Sequence, residues 1–390
     1  MKQPSSQQLT HPRPRQLKRE GLCVYALYIF SLLTAICLLY ACDFGTSSTP
    51  SVTPTATAVS PGQVITGTVR ELGALANPPS VKVRDGGPSG LVGGKMLWTF
   101  GDTILTQPNE DGVMGITNSA ATAPLSNPMS LTATLDSTGA PVLLVPYTEE
   151  EVEYNRERGN KGDDRYALWP ASVVGLDDGS GLVFFAKLLV KPGNFNFASV
   201  ATGVARIEAG STVAQREPDL LFQEPEPLFR EGALVADKHV YLWACKMDGV
   251  LDSACKVARA PVDRAREREV YRFWDGSEWI DDTGRAVEVL RGPTSGVSVS
   301  WNQHLGGYLA VYSGIVSSKV MARTAPSPEG PWSQPVELFS GQAPGPDLWN
   351  YTGVEHPELA QDGGRVIYVS YYRPLGVFDG ELRLVEVELR

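Results

Sequence analysis

Residues 85 to 103 read DGGPSGLVGGKMLWTFGDT, and this stretch predicts a β-hairpin with an aspartate at each open end. Gly93-Gly94 is a turn signal, and residues 96 to 100 are an apolar, aromatic run typical of a strand. A turn centred between the two glycines sets Asp85 opposite Asp102. Opposed like charges destabilise a hairpin, so we predict that the pair is kept for its chemistry. The alternative is that each aspartate only caps a turn.

Two carboxylates this close share protons unequally, so that one is ionised while the other has a raised pKa. Glycosidases use such a pair, in which one carboxyl group acts as acid and the other as base or nucleophile.

The composition indicates a turn-rich β protein, because the 390 residues include 39 Gly and 29 Pro. The chain has 34 basic and 44 acidic side chains and a formal net charge of −10. Almost all charged residues before position 42 are basic, so the remainder is more acidic still. Such a surface argues against nucleic acid as a partner.

The N-terminus has the pattern of a targeting segment over residues 1–42. The basic residues between Arg13 and Arg19 precede an apolar run from Gly21 to Ala41. Residues 39–42, LYAC, are similar to a bacterial lipobox, which predicts lipidation of Cys42, although Tyr40 is larger than the usual residue. The alternative is an uncleaved signal anchor. In both cases we expect the rest of the chain to be exported and tethered to a membrane, at the cell surface or in the periplasm.

Residues 43–62 are rich in Ser, Thr and Pro and predict a disordered linker. Farther along the chain, Cys245 and Cys255 lie ten positions apart in a predicted strand-loop-strand, and a disulfide is expected in an oxidising compartment. Four histidines and no Cys/His spacing argue against zinc. We expect no organic cofactor, and a channel ion such as calcium stays open.

Four further hairpins repeat the pattern of the first. Short apolar runs separated by Gly, Asp and Pro predict their paired strands at 169–174 and 182–186, 231–235 and 240–244, 297–301 and 308–313, and 356–359 and 366–371. Third and fourth strands follow several of them. The interpretation is an all-β fold, a five-bladed β-propeller over residues 63–390, in which residues 63–72 add a strand to the last blade.

In a propeller the inner strands all start at one mouth of the central channel. We therefore expect Asp85 and Asp102 at the same end as Trp169, Glu231, Ser298, Glu355 and His356. The charged run from Glu149 to Asp164 is interpreted as a solvated loop between the first two blades, and the alternative is a loop that reaches over the mouth as a substrate rim.

Each of the other mouth residues has a functional and a structural interpretation. Trp169 and Trp301 are candidates to stack on sugar rings or to pack between blades. Glu231 and Glu355 are reserve candidates for the general acid or members of rim salt bridges. His356 is a candidate to bind a sugar hydroxyl or tune a carboxylate, or else a satisfied channel histidine.

Several motifs resemble one known family. They are the 85–103 run together with LWPAS (168–172), SVSWNQHLGGYLAVYSG (298–314), ARTAPSPEGPW (322–332) and HPELAQDGGRVIYVSYY (356–372). The chain from residue 65 onward resembles the exported bacterial five-bladed propellers known as domain of unknown function 4185, part of which is classed as glycoside hydrolase family 183, the endo-D-arabinanases. The resemblance implies hydrolysis of furanoside linkages by paired acidic residues, matched here by Asp85 and Asp102.

The leading hypothesis is a glycoside hydrolase that acts as a monomer on an arabinan-like, furanose-containing polysaccharide. The alternatives are a propeller that binds glycan or protein at the same mouth without catalysis, and a structural envelope lipoprotein.

Overall fold

The computed structural model of the protein describes residues 61–158, 162–193, 196–248 and 252–390. The predicted targeting segment, Cys42 included, and nearly all of the predicted linker lie outside these ranges. Within the described ranges, no helix has the length and apolar character needed to cross a bilayer.

The strands form five antiparallel sheets, each of which is one blade of a β-propeller. The first strand is β1 (Thr66–Ala74). Blade 1 contains β2 (Val81–Val92), β3 (Lys95–Leu105), β4 (Gly115–Ile116) and β5 (Ser119–Ala123). Blade 2 contains β6 (Arg165–Gly175), β7 (Gly181–Val190), β8 (Phe197–Ile207), β9 (Gln215–Arg216) and β10 (Phe222–Gln223). Blade 3 contains β11 (Gly232–Ala236), β12 (His239–Met247), β13 (Ser253–Pro261), β14 (Arg272–Trp274), β15 (Trp279–Ile280) and β16 (Leu290–Arg291). Blade 4 contains β17 (Ser298–Asn302), β18 (Gly307–Ser313), β19 (Lys319–Ala325) and β20 (Val336–Ser340). Blade 5 contains β21 (Tyr351–Glu355), β22 (Val366–Gly376) and β23 (Asp379–Leu389).

The ring is closed by pairing between the two ends of the propeller. Strand β1 joins blade 5 as its outermost strand and pairs with β23, with Thr66 opposite Leu389 and Ala74 opposite Arg383. The predicted five-bladed propeller and the predicted addition of an N-terminal strand to the last blade are therefore confirmed.

The first strand of blade 5 differs from the prediction. The inner strand is β21, and the predicted strand at 356–359 is instead a 3-10 helix over Pro357–Leu359. Proline suits the first position of a helix because it has no amide hydrogen to satisfy there. His356 still continues the ladder, since its amide donates to the carbonyl of Tyr368. The other 3-10 helices are Val262–Arg264, Arg268–Val270, Thr283–Arg285 and Asp362–Gly364.

The charged run between blades 1 and 2 also differs from the prediction of a solvated loop. Its first part is a helix, α1 (Glu149–Glu157), which begins with a capping box between Thr148 and Glu151. Glu151 is buried and pairs with Lys187 at 2.7 Å and with Arg216 at 2.6 Å. Two cations from blade 2 thus dock this acidic helix on the propeller.

The core lies between neighbouring blades, because successive side chains of a strand point to opposite faces of the sheet. In β22, Tyr368 and Tyr372 pack with the core of blade 1, whereas Ile367 and Val369 pack with the core of blade 4. Each blade is thereby held by apolar contacts on both faces, and the inner strands are free to present polar residues to the channel.

Cys245 and Cys255 are cross-strand partners in β12 and β13 and form a disulfide bridge. We expect the double variant Cys245→Ser/Cys255→Ser to lose roughly 2–3 kcal/mol of unfolding free energy, because the bridge restricts the unfolded chain. Chemical denaturation measures this loss. A reductant should bring the parent to the midpoint of the variant and leave the variant unchanged, and equal midpoints without reductant would contradict the prediction.

Candidate active site

The two predicted aspartates lie on the hairpin of β2 and β3, at the end far from its turn. Next to the turn the ladder has the predicted register. The ladder is irregular on both sides of Gly86 and regains the register where Arg84 pairs with Thr103. Asp85 follows Arg84 on β2, and Asp102 precedes Thr103 on β3. The two aspartates therefore lie side by side at an irregular point of the sheet.

Two glycines make room for this arrangement. A Cβ atom on Gly101 would lie 2.7 Å from Oδ1 of Asp85, closer than a carbon atom tolerates. Gly86 has a φ of 102°, which side chains other than glycine rarely adopt, and a Cβ there would approach the amide nitrogen of Gly101 at 2.9 Å. The Asp85 carboxylate therefore lies directly against the backbone of β3.

The carboxylate of Asp85 is held by groups from two strands. The Tyr351 hydroxyl donates to its Oδ2 atom at 3.1 Å, and the backbone amide of Asp102 on β3 also favours its ionised form. Burial, and second the neighbouring Asp102 carboxylate, raise the pKa of Asp85 to about 7 against the smaller opposing effect of these two groups. Asp85 thus holds a proton close to neutral pH.

Asp102 has a different environment. Burial raises the pKa of its carboxyl overall, and this shift is opposed by the indole Nε1 of Trp169, which donates to its Oδ1 atom at 3.0 Å, and by Arg165, which favours the ionised form. The cation and the indole come from the start of β6 in blade 2. The shared proton of the pair is accordingly placed on Asp85, and the negative charge on Asp102.

Aromatic rings flank the pair on both sides. On the Asp102 side, Phe197 packs edge-on against Trp169 with ring centroids 4.9 Å apart. On the Asp85 side, Tyr372 packs against Tyr351 at 4.8 Å. The carboxylates therefore sit between two aromatic walls contributed by blades 2 and 5.

Glu355 and His356 lie deeper in the channel than predicted. Strand β21 runs from Tyr351 to Glu355, which corresponds to about 13 Å of extended chain. Glu355 is buried, accepts a hydrogen bond from Ser300 Oγ at 2.7 Å, and has a pKa raised to about 7 by burial. His356 is fully buried and its Nδ1 lies 2.6 Å from Ser89 Oγ. Burial lowers the pKa of His356 to about 3, so the ring is neutral.

Glu231 and Trp301 stand apart from the pair. The Glu231 carboxylate forms an ion pair with Arg230 at 3.2 Å. Trp301 is 55% exposed. The next residue, Asn302, donates its side-chain amide to the carbonyl oxygen of Gly364, in the turn at the opposite end of the propeller. Together with Glu355, Trp301 lines a cavity of about 210 Å³ near that end. Of the residues predicted at the mouth beside the pair, the structure brings Trp169 into contact with it.

Tyr351, Arg165 and Tyr372 were missed by the sequence analysis. Tyr351 was missed because the inner strand of blade 5 was placed five residues too late, at His356. Tyr351 is the first residue of its inner strand, and Asp85 is likewise near the start of β2. A correct strand assignment would therefore have placed the two residues at the same mouth. Arg165 was missed because it lies between the charged run, which ends at Asp164, and the predicted strand at 169–174; in the structure it is the first residue of β6.

A metal site is not defined by the described part of the chain. In these ranges, no three His, Cys, Asp or Glu side chains come together in a way that could hold a metal ion.

Comparison with known proteins gives a family and a fold. The family model described as "Domain of unknown function (DUF4185)" matches residues 85–374. No curated protein matches the chain.

Several solved structures share the fold. A Bacteroides ovatus protein to which a hydrolase function has been attributed has a TM-score of 0.57 at 14% identity, over 80% of this chain and 87% of its own. The GH43_1 enzyme of Xanthomonas citri, solved with xylotriose, has a TM-score of 0.46 at 14% identity, over 82% and 89%. The β-xylosidase/α-arabinofuranosidase CoXyl43 from a compost metagenome has a TM-score of 0.47 at 14% identity, over 82% and 94%. At these identities the likeness concerns the fold alone.

The raised pKa of Asp85 predicts a pH-dependent cost to stability. The folded-state pKa of about 7 exceeds the unfolded value near 3.8. The contribution of Asp85 to the free energy of unfolding is therefore fully present at acid pH and is lost as the pH rises through 7. Asp85→Asn should therefore match the parent near pH 4 and exceed it at pH 8, by about 4 kcal/mol at most. Denaturant unfolding at both pH values measures this difference.

The matched control is Asp347→Asn, which changes an exposed carboxylate in the loop before β21. It should leave the pH dependence of the parent unchanged. A stability difference between Asp85→Asn and the parent that is the same at pH 4 and pH 8 would contradict the assignment of the proton.

Proposed function

The chain belongs to the family described as domain of unknown function DUF4185, and from its paired aspartates we propose that it is a glycoside hydrolase acting on arabinan-like, furanose-containing polysaccharide. The observation that carries this proposal is the unequal pair at the mouth. One carboxyl, Asp85, is protonated near neutral pH, and the other, Asp102, is held as an anion by Trp169 and Arg165.

The two environments assign the two roles in hydrolysis. Asp85 donates its proton to the glycosidic oxygen as the bond to the leaving sugar breaks, since a carboxyl with a pKa near the working pH is the better acid. Asp102 acts on the other side of the sugar ring, as nucleophile or as the base that activates water. The Tyr351 hydroxyl then donates to the Asp85 anion that the proton transfer leaves behind.

The furanose preference rests on the resemblance of the 85–103 hairpin and the other family motifs to the endo-D-arabinanases. We further propose that the enzyme works outside the cytoplasm, exported and tethered through its N-terminus, because that is what the sequence of residues 1–42 predicts. A soluble monomer of the propeller with no organic cofactor is sufficient for the chemistry described.

Neutralising either aspartate tests the proposal. We expect Asp102→Asn and Asp85→Asn each to reduce the release of reducing ends from arabinan by roughly 10²–10⁴-fold, the usual contribution of a positioned acid or base. Binding of arabinan oligosaccharides to Asp102→Asn, measured by calorimetry, should be retained. Asp177→Asn, in the exposed turn between β6 and β7, is the matched control and should keep full activity.

Loss of hydrolysis with retained binding supports the enzyme. If the parent hydrolyses no linkage in a panel of defined furanosides but binds them, the alternative of a non-catalytic glycan-binding propeller replaces the proposal. If it does neither, the propeller has no glycan function at this mouth.

The pH profile tests which aspartate is the acid. The profile of kcat/KM should be bell-shaped, with an alkaline limb near pH 7 as Asp85 loses its proton. Because the Tyr351 hydrogen bond lowers the pKa of Asp85, Tyr351→Phe should move this limb to higher pH. Tyr371→Phe is the control, since the Tyr371 hydroxyl donates to Glu71 instead. An alkaline limb that does not move in Tyr351→Phe would show that Asp85 is not the group that titrates.

A further inference from the structure

An apolar ledge stands at the mouth of the propeller on the side of blade 5. It consists of two adjoining segments, the turn that joins β22 to β23 and the loop that precedes β21. The ledge residues are Leu348 (37% exposed), Trp349 (48%), Leu375 (38%), Val377 (86%) and Phe378 (66%). Five large apolar residues exposed on two adjoining segments are unusual on the surface of an acidic protein, and they indicate a binding site.

The backbone of the turn supports this interpretation. Phe378 has a φ of 53°, a conformation that an aromatic residue rarely adopts and that glycine or asparagine adopts at lower cost. The adjoining loop is fixed to the end of β22, because the amide of Gly345 donates to the carbonyl of Pro374 at 2.8 Å. The two segments therefore form one surface, in which a strained residue presents its ring to solvent.

The ledge is continuous with the catalytic pair. Trp349 precedes Tyr351 by two residues, and Tyr351 donates to Asp85. Strand β22 continues from Tyr372, which packs on Tyr351, to Gly376 at the base of the turn, about 13 Å farther out. The path from Asp85 to the ledge thus has aromatic side chains along it.

We propose that the ledge binds the sugar residues on the leaving-group side of the cleaved bond in an extended polysaccharide. The assignment rests on the proposed function, in which Asp85 is the acid and protonates the leaving sugar. The faces of sugar rings pack on aromatic side chains, and Trp349 and Phe378 supply them. Trp169 and Phe197 flank Asp102 on the opposite side, so the chain continues past the pair in both directions and is cut in its interior.

The place where the chain enters the propeller favours a polymer over a membrane as the occupant. The amide of Gly62 donates to the carbonyl of Leu305 at 2.7 Å, and Pro61 lies against Gly307. These contacts are at the turn between β17 and β18, at the end of the propeller opposite the Asp85 mouth. Pro61 and Gly62, the first residues that the structure describes, therefore lie at the end away from the ledge.

The test compares a polymer with a short substrate. Phe378→Asn suits the backbone of the turn and should fold as the parent does. This variant and Trp349→Ala should each lower kcat/KM on arabinan by about tenfold or more, the scale of one lost stacking contact, and leave kcat/KM on an aryl arabinofuranoside unchanged. Leu91→Asn is the control, since Leu91 is an exposed apolar residue near the turn of the β2–β3 hairpin, at the other end, and both activities should be kept.

The outcomes separate this proposal from the proposed function. An equal loss of kcat/KM on both substrates, or no loss on arabinan, would contradict the role of the ledge but not the proposed hydrolase function. If the parent hydrolyses nothing, calorimetry with arabinan oligosaccharides decides: weaker binding to the two variants than to the parent supports the ledge, and equal or absent binding overturns it. A dimer of the parent, seen by sedimentation, that both variants abolish without change on arabinan would assign the ledge to a second copy of the chain.

Discussion

The contact between the Asp85 carboxylate and the backbone of β3 is the constraint on which the rest of the site depends. Gly101 has no side chain where that carboxylate lies, since a Cβ atom there would be 2.7 Å from Oδ1 of Asp85. A carboxylate placed there is desolvated and next to a like charge, which makes its ionisation costly. The fold tolerates this local cost because apolar contacts with blade 5 on one face and with blade 2 on the other hold the hairpin.

The propeller makes the two carboxyl groups chemically different by surrounding them with different blades. Trp169 reaches Asp102 from 67 residues away, and Tyr351 reaches Asp85 from 266 residues away. Trp169 comes from the next blade along the chain, whereas Tyr351 comes from the last blade and reaches Asp85 in the closed ring, in which β1 pairs with β23. The environment of Asp85 therefore depends on ring closure.

The sequence was sufficient for the fold and for the hairpin that carries the pair. The diglycine turn predicted the register next to the turn because two-residue hairpin loops determine which residues face each other. The irregular ladder around Gly86 was not predicted, since its cause is the approach of Gly86 to Gly101 across the strands and not a local preference. Helix α1 was missed although its capping box of Thr148 and Glu151 is a local sequence signal, and Tyr351 was missed because the inner strand of blade 5 was placed at His356.

The chemistry proposed for the pair requires that its proton resides on Asp85. The most direct measurement is a pH titration of the aspartate carboxyl carbons by NMR, with the Asp85 signal assigned by its absence from Asp85→Asn. We expect the pKa of Asp85 to be about 7 and to fall when Asp102 is replaced by Asn, because one of the two causes of the shift is removed. A pKa of Asp85 near 4 in the parent, unchanged by that substitution, would contradict this expectation.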